Sequence, residues 1–355
     1  SWTEPDGTGF AVKAATLQGG NWSRPVTITT SNSLFVNWAD FPTVAAFNDG
    51  TLAVSWLQEN TNIPYAYDIN IALSSDAGQT WGSPIVPHDD QSTRQHGFLT
   101  LLPTERDEMI AVWLDAREYN SQSPGDSFGN AVQLRSTTIG KDGTLGKDIP
   151  LDLRACSCCQ TSAAITEDGT VLIAYRDRTA DEIRDISIVR RHNGVWSGPV
   201  NVHADGWEIS GCPVNGPAID AQATDAVVAW FTGADNIATI KVAFSEDSGV
   251  TFGPAFQVDS GESVGRVGTL MLATGDALIS WVEWTSDGEV LMLCRATKND
   301  GCVARQTITE HAASGSFNFP KLARSGDTIY LAWTQPIDSE AGFSTIRMVV
   351  LDLSD

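Results

Sequence analysis

A chain of 355 residues with 42% hydrophobic and 19% charged residues can bury a large core, and none of its apolar runs approaches the roughly 18 residues of a membrane-spanning helix. Its 44 acidic residues against 22 basic ones give a net charge of −22, which repels phosphate and speaks against a nucleic-acid partner. The surplus reads as a solvated acidic shell that keeps a secreted or salt-exposed protein soluble; calcium is a second reading, although no acidic stretch has EF-hand spacing.

The chain starts SWTEPDG, without Met, signal or tag, so removal of a preceding segment is expected. From there an apolar strand ending in a small residue and an aromatic recurs six times: AVSWL to Trp56, IAVWL to Trp113, LIAYR to Tyr175, VVAWF to Trp230, LISWV to Trp281 and YLAWT to Trp333. The spacings, about 51 to 62 residues, are those of a repeat array whose units must stack to bury their faces. In the first copy the strand FPTVAAF, the turn Asn48-Asp49-Gly50 and the strand TLAVSW are followed by INIALS, the hairpin SDAGQTW and SPIVPH. Asn-Asp-Gly between alternating strands is a hairpin signal, because the tight primed turns need positive φ. EDG at 167–169 and SGD at 325–327 repeat it, and no stretch has helical period.

Four short antiparallel strands in each of six copies predict an all-β fold, a six-bladed β-propeller in one domain spanning 1–355. The blades are expected near 41–90, 96–152, 156–204, 212–260, 265–312 and 315–355. The last copy stops at a third strand, TIRMVVLDL, whereas GNWSRPVTIT near the N-terminus matches the fourth-strand segments QTWGSPIVPH, GVWSGPVNVH and VTFGPAFQVD. Residues 9–30 are therefore expected to complete the last blade.

Two hairpins read S-x-D-x-G-x-T-aromatic: Ser74, Asp76, Gly78, Thr80 and Trp81, then Ser245, Asp247, Gly249, Thr251 and Phe252. This pattern resembles the Asp-box of the sialidase superfamily, or BNR-repeat proteins, and the resemblance extends in architecture over essentially the whole chain. Its physical role is local. The Asp and Ser side chains tie down backbone N–H groups, Gly takes positive φ, and the aromatic packs between strands. The resemblance implies a structural hairpin away from the active site.

In such blades the segments entering strand one and leaving strand two share the opposite face. That face collects Asp40, His96, Cys156, Cys158, Cys159, Cys212, Asn215, Arg266, Asn318 and Lys321, together with Glu59, Asp115, Arg117, Arg176, Asp177, Arg178 and Glu283. The mouth of a propeller's channel is its usual binding site. Similarity to sialidases implies an arginine cluster for a substrate carboxylate, an acid for proton transfer and a Tyr/Glu nucleophile pair. Arg117, Arg176, Arg178 and Arg266 match the first requirement in chemistry, and Asp115 and Asp177 the second. Inter-blade salt bridging is the plainer reading of the same Arg-Asp segments. The family's opening Arg-Ile-Pro is replaced by Asp40-Phe41-Pro42, which would repel a carboxylate, and Tyr330 lies within a strand rather than at a nucleophile's position.

The cysteines open a second reading. Cys294 and Cys302 flank a turn and are expected to form a cross-hairpin disulfide, which points to an oxidising compartment. Cys156, Cys158 and Cys159 open one repeat and Cys212 opens the next. One bridge from the triplet to Cys212 is the simple outcome; a thiolate site for copper, or for zinc, completed by His96 and His203 is another, and a redox-active thiol a third. Taken whole, ACSCCQT, AYRDR, EIRD and GCPVNGP look like a bacterial subgroup of sialidase-like BNR proteins. The expectations are a secreted or periplasmic propeller that binds or cleaves an acidic glycan or another small molecule; a copper or redox-thiol protein; or a non-enzymatic interaction propeller.

Overall fold

The computed structural model describes residues 1–61, 63–119, 131–311, 317–338 and 343–351, and the chain falls into two compact units, 1–157 and 158–355. The first unit holds three antiparallel meander sheets. One orders β1 (Trp2–Asp6), β2 (Gly9–Ala14) and β5 (Val26–Ser31), with a small ribbon of β3 (Leu17–Gln18) and β4 (Asn21–Trp22) between the last two in sequence. The next contains β6 (Val44–Ala46), β7 (Leu52–Glu59) and β8 (Tyr67–Ser74), and the third β9 (His96–Pro103), β10 (Glu108–Asp115), β11 (Val132–Gly140) and β12 (Ile149–Ala155).

The second unit holds four sheets. They are β13 (Ser162–Ile165), β14 (Val171–Arg176), β15 (Ile186–His192), β16 (Val195–Trp196) and β17 (Val200–Asn201); β18 (Ala218–Gln222), β19 (Asp225–Thr232), β20 (Thr239–Ser245) and β21 (Phe256–Gln257); β22 (Ser263–Met271), β23 (Ala277–Thr285), β24 (Gly288–Thr297) and β25 (Gly301–His311); and β26 (Lys321–Ser325), β27 (Thr328–Asp338) and β28 (Phe343–Leu351). Helix among the described residues is a single 3₁₀ turn, Ala234–Asn236.

The fold is an all-β propeller, as expected, but with seven blade sheets instead of six, and only some of them are four-stranded. The correction lies at the N-terminus. Val26–Ser31 pairs with Gly9–Ala14 inside its own sheet and does not supply a fourth strand to β26–β28. That blade escapes the aromatic count because its middle strand, GFAVKA, ends in Ala14 where six others carry Trp or Tyr.

Those aromatics are the core. Trp113, Trp230 and Trp281 are fully buried, Trp56, Tyr175 and Trp333 nearly so. A bulky ring near the end of six of the seven middle strands fills the wedge between neighbouring sheets, and truncating one to Ala costs about 3–5 kcal/mol. Three of the indoles also donate to an acceptor two residues on: Trp113 to Asp115 at 2.8 Å, Trp281 to Glu283 at 2.8 Å and Trp333 to Gln335 at 3.1 Å. Period two in a strand keeps both side chains on one face, so the core residue orients the polar one.

Both S-x-D-x-G-x-T hairpins close alike. Asp76 takes the Thr80 amide at 2.9 Å and its hydroxyl at 2.6 Å while Ser74 takes the Gly78 amide at 2.9 Å; Asp247, Thr251, Ser245 and Gly249 repeat these bonds at 2.8, 2.7 and 2.9 Å. Gly78 and Gly249 sit at φ of +85° and +73°. Trp81 packs against the Val12, Val54 and Trp56 cluster, and Phe252 against Leu172, Ala226 and Trp230.

Candidate functional site

Polar residues that begin a blade clamp the following one. In the first unit Asp40 accepts the Phe98 amide at 2.9 Å on each carboxylate oxygen; in the second, Gln160 accepts the Gly216 amide at 3.2 Å and Asn215 the Arg266 amide at 2.8 Å. Each acceptor lies against a glycine: a Cβ on Gly97, Gly216 or Gly265 would overlap Asp40, Gln160 or Asn215 respectively. Asp40, which stands where sialidases open with arginine, is thus a buried clamp. Burial pushes its carboxyl up to about 7, against the pull of the Phe98 amide and the Tyr67 hydroxyl.

The first unit carries an ionic cluster built from β8, β9, β10 and the connections around them. Arg117 places Nη2 2.7 Å from Asp115 and from Asp148 and 3.2 Å from Asp90, and Nη1 3.0 Å from Asp89. Arg135 holds the other oxygen of Asp148 at 2.7 Å. Burial alone would disfavour the Arg117 charge, but Asp115 and Asp148 outweigh it and hold the guanidinium firmly protonated. Beside it, His88 and His96 stack with ring centroids 3.8 Å apart and planes 5° apart. Burial works against a charge on His96, yet Asp68 and Asp90 prevail and push it up to about 9. Asp115 and Arg117, expected as acid and carboxylate grip, therefore meet, with each satisfying the other inside the protein. His88, Asp90, Asp68 and Asp148 were missed from sequence. The usable signal was His88-Asp89-Asp90 with His96 in one short connection of a chain with only five histidines.

In the second unit Arg176 is buried and donates to three backbone carbonyls, Asn215 at 2.9 Å, Arg184 at 2.6 Å and Phe231 at 2.7 Å, while its guanidinium covers Trp207. Asp177 takes the Ser187 hydroxyl at 2.8 Å, Arg178 pairs with Glu182 at 2.5 Å, and Arg266 approaches Glu289 at 3.5 Å. Burial lowers the Arg266 pKa. These four brace strands and connections, but not as the inter-blade salt bridges the sequence suggested: the ion pairs of Arg178 and Arg266 lie within a blade, and Arg176 reaches the next sheet through backbone carbonyls.

Cys294 and Cys302 form the cross-hairpin disulfide, and Cys158 is bonded to Cys212. Cys158 and Cys212 in that state offer no thiolate, which removes two of the expected metal ligands; Cys156 and Cys159 are buried and outside either disulfide. His203, the other expected ligand in the second unit, is part-exposed, lying 3.9 Å from Asp205 and edge-on to Trp230.

The second unit also opens a recess of about 440 Å³ along β13, β18, β22 and β26, lined by Gln160, Thr161, Thr269, Phe319 and three charged residues, Asp220, Lys321 and Arg324. Asp220 is pushed up by burial against the Met271 amide, which donates to it at 2.6 Å. Lys321 keeps solvent contact inside the recess, but the surrounding protein pulls its ammonium down to about 8. Arg324 donates to the Gln222 side chain at 3.3 Å and to the Met271 carbonyl. Lys321 was legible as part of NFPK; Asp220 was not, because AIDAQ reads as an ordinary alternating strand.

No protein-family model matches the chain, and no curated protein matches it. Solved structures do. The NanB sialidase from Streptococcus pneumoniae aligns with 92% of this chain and 70% of its own at 11% identity and TM-score 0.56. The GH93 α-L-arabinofuranosidase of Fusarium graminearum, solved with arabinobiose, aligns with 98% and 99% at 14% identity and TM-score 0.58. A protein of unknown function from Dyadobacter fermentans aligns with 90% and 96% at 14% identity and TM-score 0.55. At such identities the likeness concerns the fold: the chain has a sialidase-like β-propeller fold.

Proposed function

We propose that this chain is a carbohydrate-binding propeller whose ligand carries a carboxylate, taken up in the recess of the second unit. The observation that carries the reading is the charge of that recess. In a chain of net charge −22 its described lining has two cations, Lys321 and Arg324, against one carboxyl held toward its neutral form, Asp220. A volume near 440 Å³ falls within the roughly 300–1,000 Å³ of small-molecule sites. At neutral pH Lys321 is mostly protonated and can meet a carboxylate, Asp220 can hydrogen-bond a hydroxyl, and Phe319 adds an apolar contact for a sugar ring. The fold is shared with a sialidase and an arabinofuranosidase, which favours a sugar among carboxylate-bearing ligands.

Binding is favoured over hydrolysis. Glycosidases need a pair of carboxylates, or in sialidases a tyrosine nucleophile, around the scissile bond. Asp220 is the one carboxyl among the described lining residues, and no tyrosine joins it. The test is titration calorimetry with uronate- and sialate-terminated oligosaccharides beside a turnover assay on the same panel. Expected are binding of an acidic sugar, at least about ten-fold weaker in Lys321→Ala through loss of a charge-assisted bond, and no release of product. Turnover abolished by Asp220→Asn would overturn the binding reading in favour of hydrolysis, and an absence of binding would sink both.

A further inference from the structure

Among the described residues of the first unit, His88 is the polar side chain with both of its polar atoms buried and unpartnered. Only 3% of it is exposed, and neither ring nitrogen meets a partner in hydrogen-bond geometry. Nevertheless both nitrogens lie close to carboxylate oxygens: Nε2 3.6 Å from Asp68 Oδ1 and Nδ1 3.3 Å from Asp90 Oδ1. His96, stacked beside it and fully buried, shows the same oxygens to its own nitrogens, Nδ1 3.2 Å from Asp68 Oδ1 and Nε2 3.0 Å from Asp90 Oδ1. A buried imidazole with two unpaired nitrogens is costly, so this arrangement calls for something that both rings can ligate.

The two sides of the stacked pair differ. Asp90 lies on the side of Arg117, whose guanidinium is 3.2 Å away. Asp68, 28% exposed, meets the neutral Asn60 amide at 2.8 Å and the two histidines, with no ion pair to lysine or arginine among the described residues. Tetrahedral ligands bonded at roughly 2.0–2.2 Å stand about 3.3–3.6 Å apart. The oxygen-to-nitrogen separations on the Asp68 side, 3.2 and 3.6 Å, lie near that edge, but the rings are parallel, so one must turn out of the stack before both in-plane lone pairs can meet one ion.

We infer that Asp68, His88 and His96 bind a divalent first-row metal ion of the zinc class through Asp68 Oδ1, His88 Nε2 and His96 Nδ1. Two imidazoles and one carboxylate form a donor set that suits such an ion and leaves a position open on the exposed side of Asp68. Asp90 then serves as the outer carboxylate that takes the remaining N–H of His96, and of His88 after a small ring rotation, fixing both tautomers; Arg117 anchors Asp90 in turn. The Tyr67 carbonyl, 3.3 Å from His96 Nδ1, competes for that nitrogen when no ion is bound and can approach the ion when one is. His96 was expected as a ligand alongside the cysteines; here its partners are a histidine and carboxylates.

The experiment strips the full chain with chelator, dialyses it, and titrates Zn(II) by calorimetry and Co(II) by visible absorption, with elemental analysis of the natively purified protein alongside. Expected are about one ion per chain, a rise in Tm on adding Zn(II), and loss of both in Asp68→Asn and in His88→Gln. Circular dichroism confirms that each variant is folded, and either variant alone suffices if the other fails to fold. The double variant Cys156→Ser/Cys159→Ser should bind as the parent does. Absence of metal from native protein together with no binding would overturn the inference, as would undiminished binding in both folded variants, or loss in the cysteine variant alone.

Discussion

The two units use charge in opposite ways. In the first, Arg117 is enclosed by Asp89, Asp90, Asp115 and Asp148, and the carboxylates spend their charge on it and on two histidines. In the second, Lys321 and Arg324 stand in a recess large enough for a ligand, facing a carboxyl that burial keeps toward its neutral form. The same residue types therefore mean different things. An arginine among carboxylates is held by the protein, whereas cations bordering a void can also reach a ligand.

The sharpest way to break this contrast is to remove one arginine from each unit. Arg117→Ala leaves buried Asp115 without its arginine and Asp148 with Arg135 alone, and should cost about 3–5 kcal/mol by chemical denaturation, whereas exposed Arg324→Ala should cost under about 1 kcal/mol. Equal costs would mean that the recess is as much a structural brace as the cluster.

The disulfides of the second unit separate next. By loop length, the Cys158–Cys212 bridge, spanning 54 positions, should contribute about 4 kcal/mol, and Cys294–Cys302, spanning 8, about 2.5 kcal/mol. Paired Cys→Ser variants in urea test the order. A larger loss at Cys294–Cys302 would mean that native-state packing, not chain entropy, sets their worth.

The glycine clamps give a third comparison. Gly216→Ala drives a Cβ into the Gln160 backbone, which cannot yield, and should cost about 3 kcal/mol. In the first unit Gly97→Ala meets only side chains, the Asp40 carboxylate and the Tyr67 ring, so about 1–2 kcal/mol is expected.

The smallest effect is a pH dependence. The Lys321 pKa, about 8 in the folded chain, lies below its ordinary 10.5, so the charged amine costs stability below pH 8, and that cost is relieved as the pH rises toward 10.5. Affinity for an acidic ligand should run the other way, falling as the pH passes 8. A flat affinity from pH 6 to 9 would remove Lys321 from the site.

Much of the fold was legible because its signals are periodic. An aromatic near the end of six middle strands, Gly at successive hairpins and two S-x-D-x-G-x-T turns recur at fixed places, and recurrence makes a weak local signal strong. The seventh sheet was missed for the same reason: Gly9–Ala14 has its aromatic, Phe10, near its start and ends in Ala14, so a count of strand-end aromatics stops at six. The sites were harder to read. Arg176 and Asp177 look like catalytic residues in sequence, but which partner satisfies an arginine is decided in three dimensions, here by carbonyls 8, 39 and 55 positions away. The Asp68, His88 and His96 group was only half visible, since Asp68 lies in a strand whose alternation gives no hint that it borders two histidines.

The most direct test of the account is calorimetric titration of a uronate-terminated oligosaccharide and its neutral counterpart into the parent chain and Lys321→Ala. The account predicts preference for the acidic sugar in the parent and at least about a ten-fold loss of it in the variant, with the fold intact. Equal binding of the acidic sugar by both proteins, or preference for the neutral one, would contradict it.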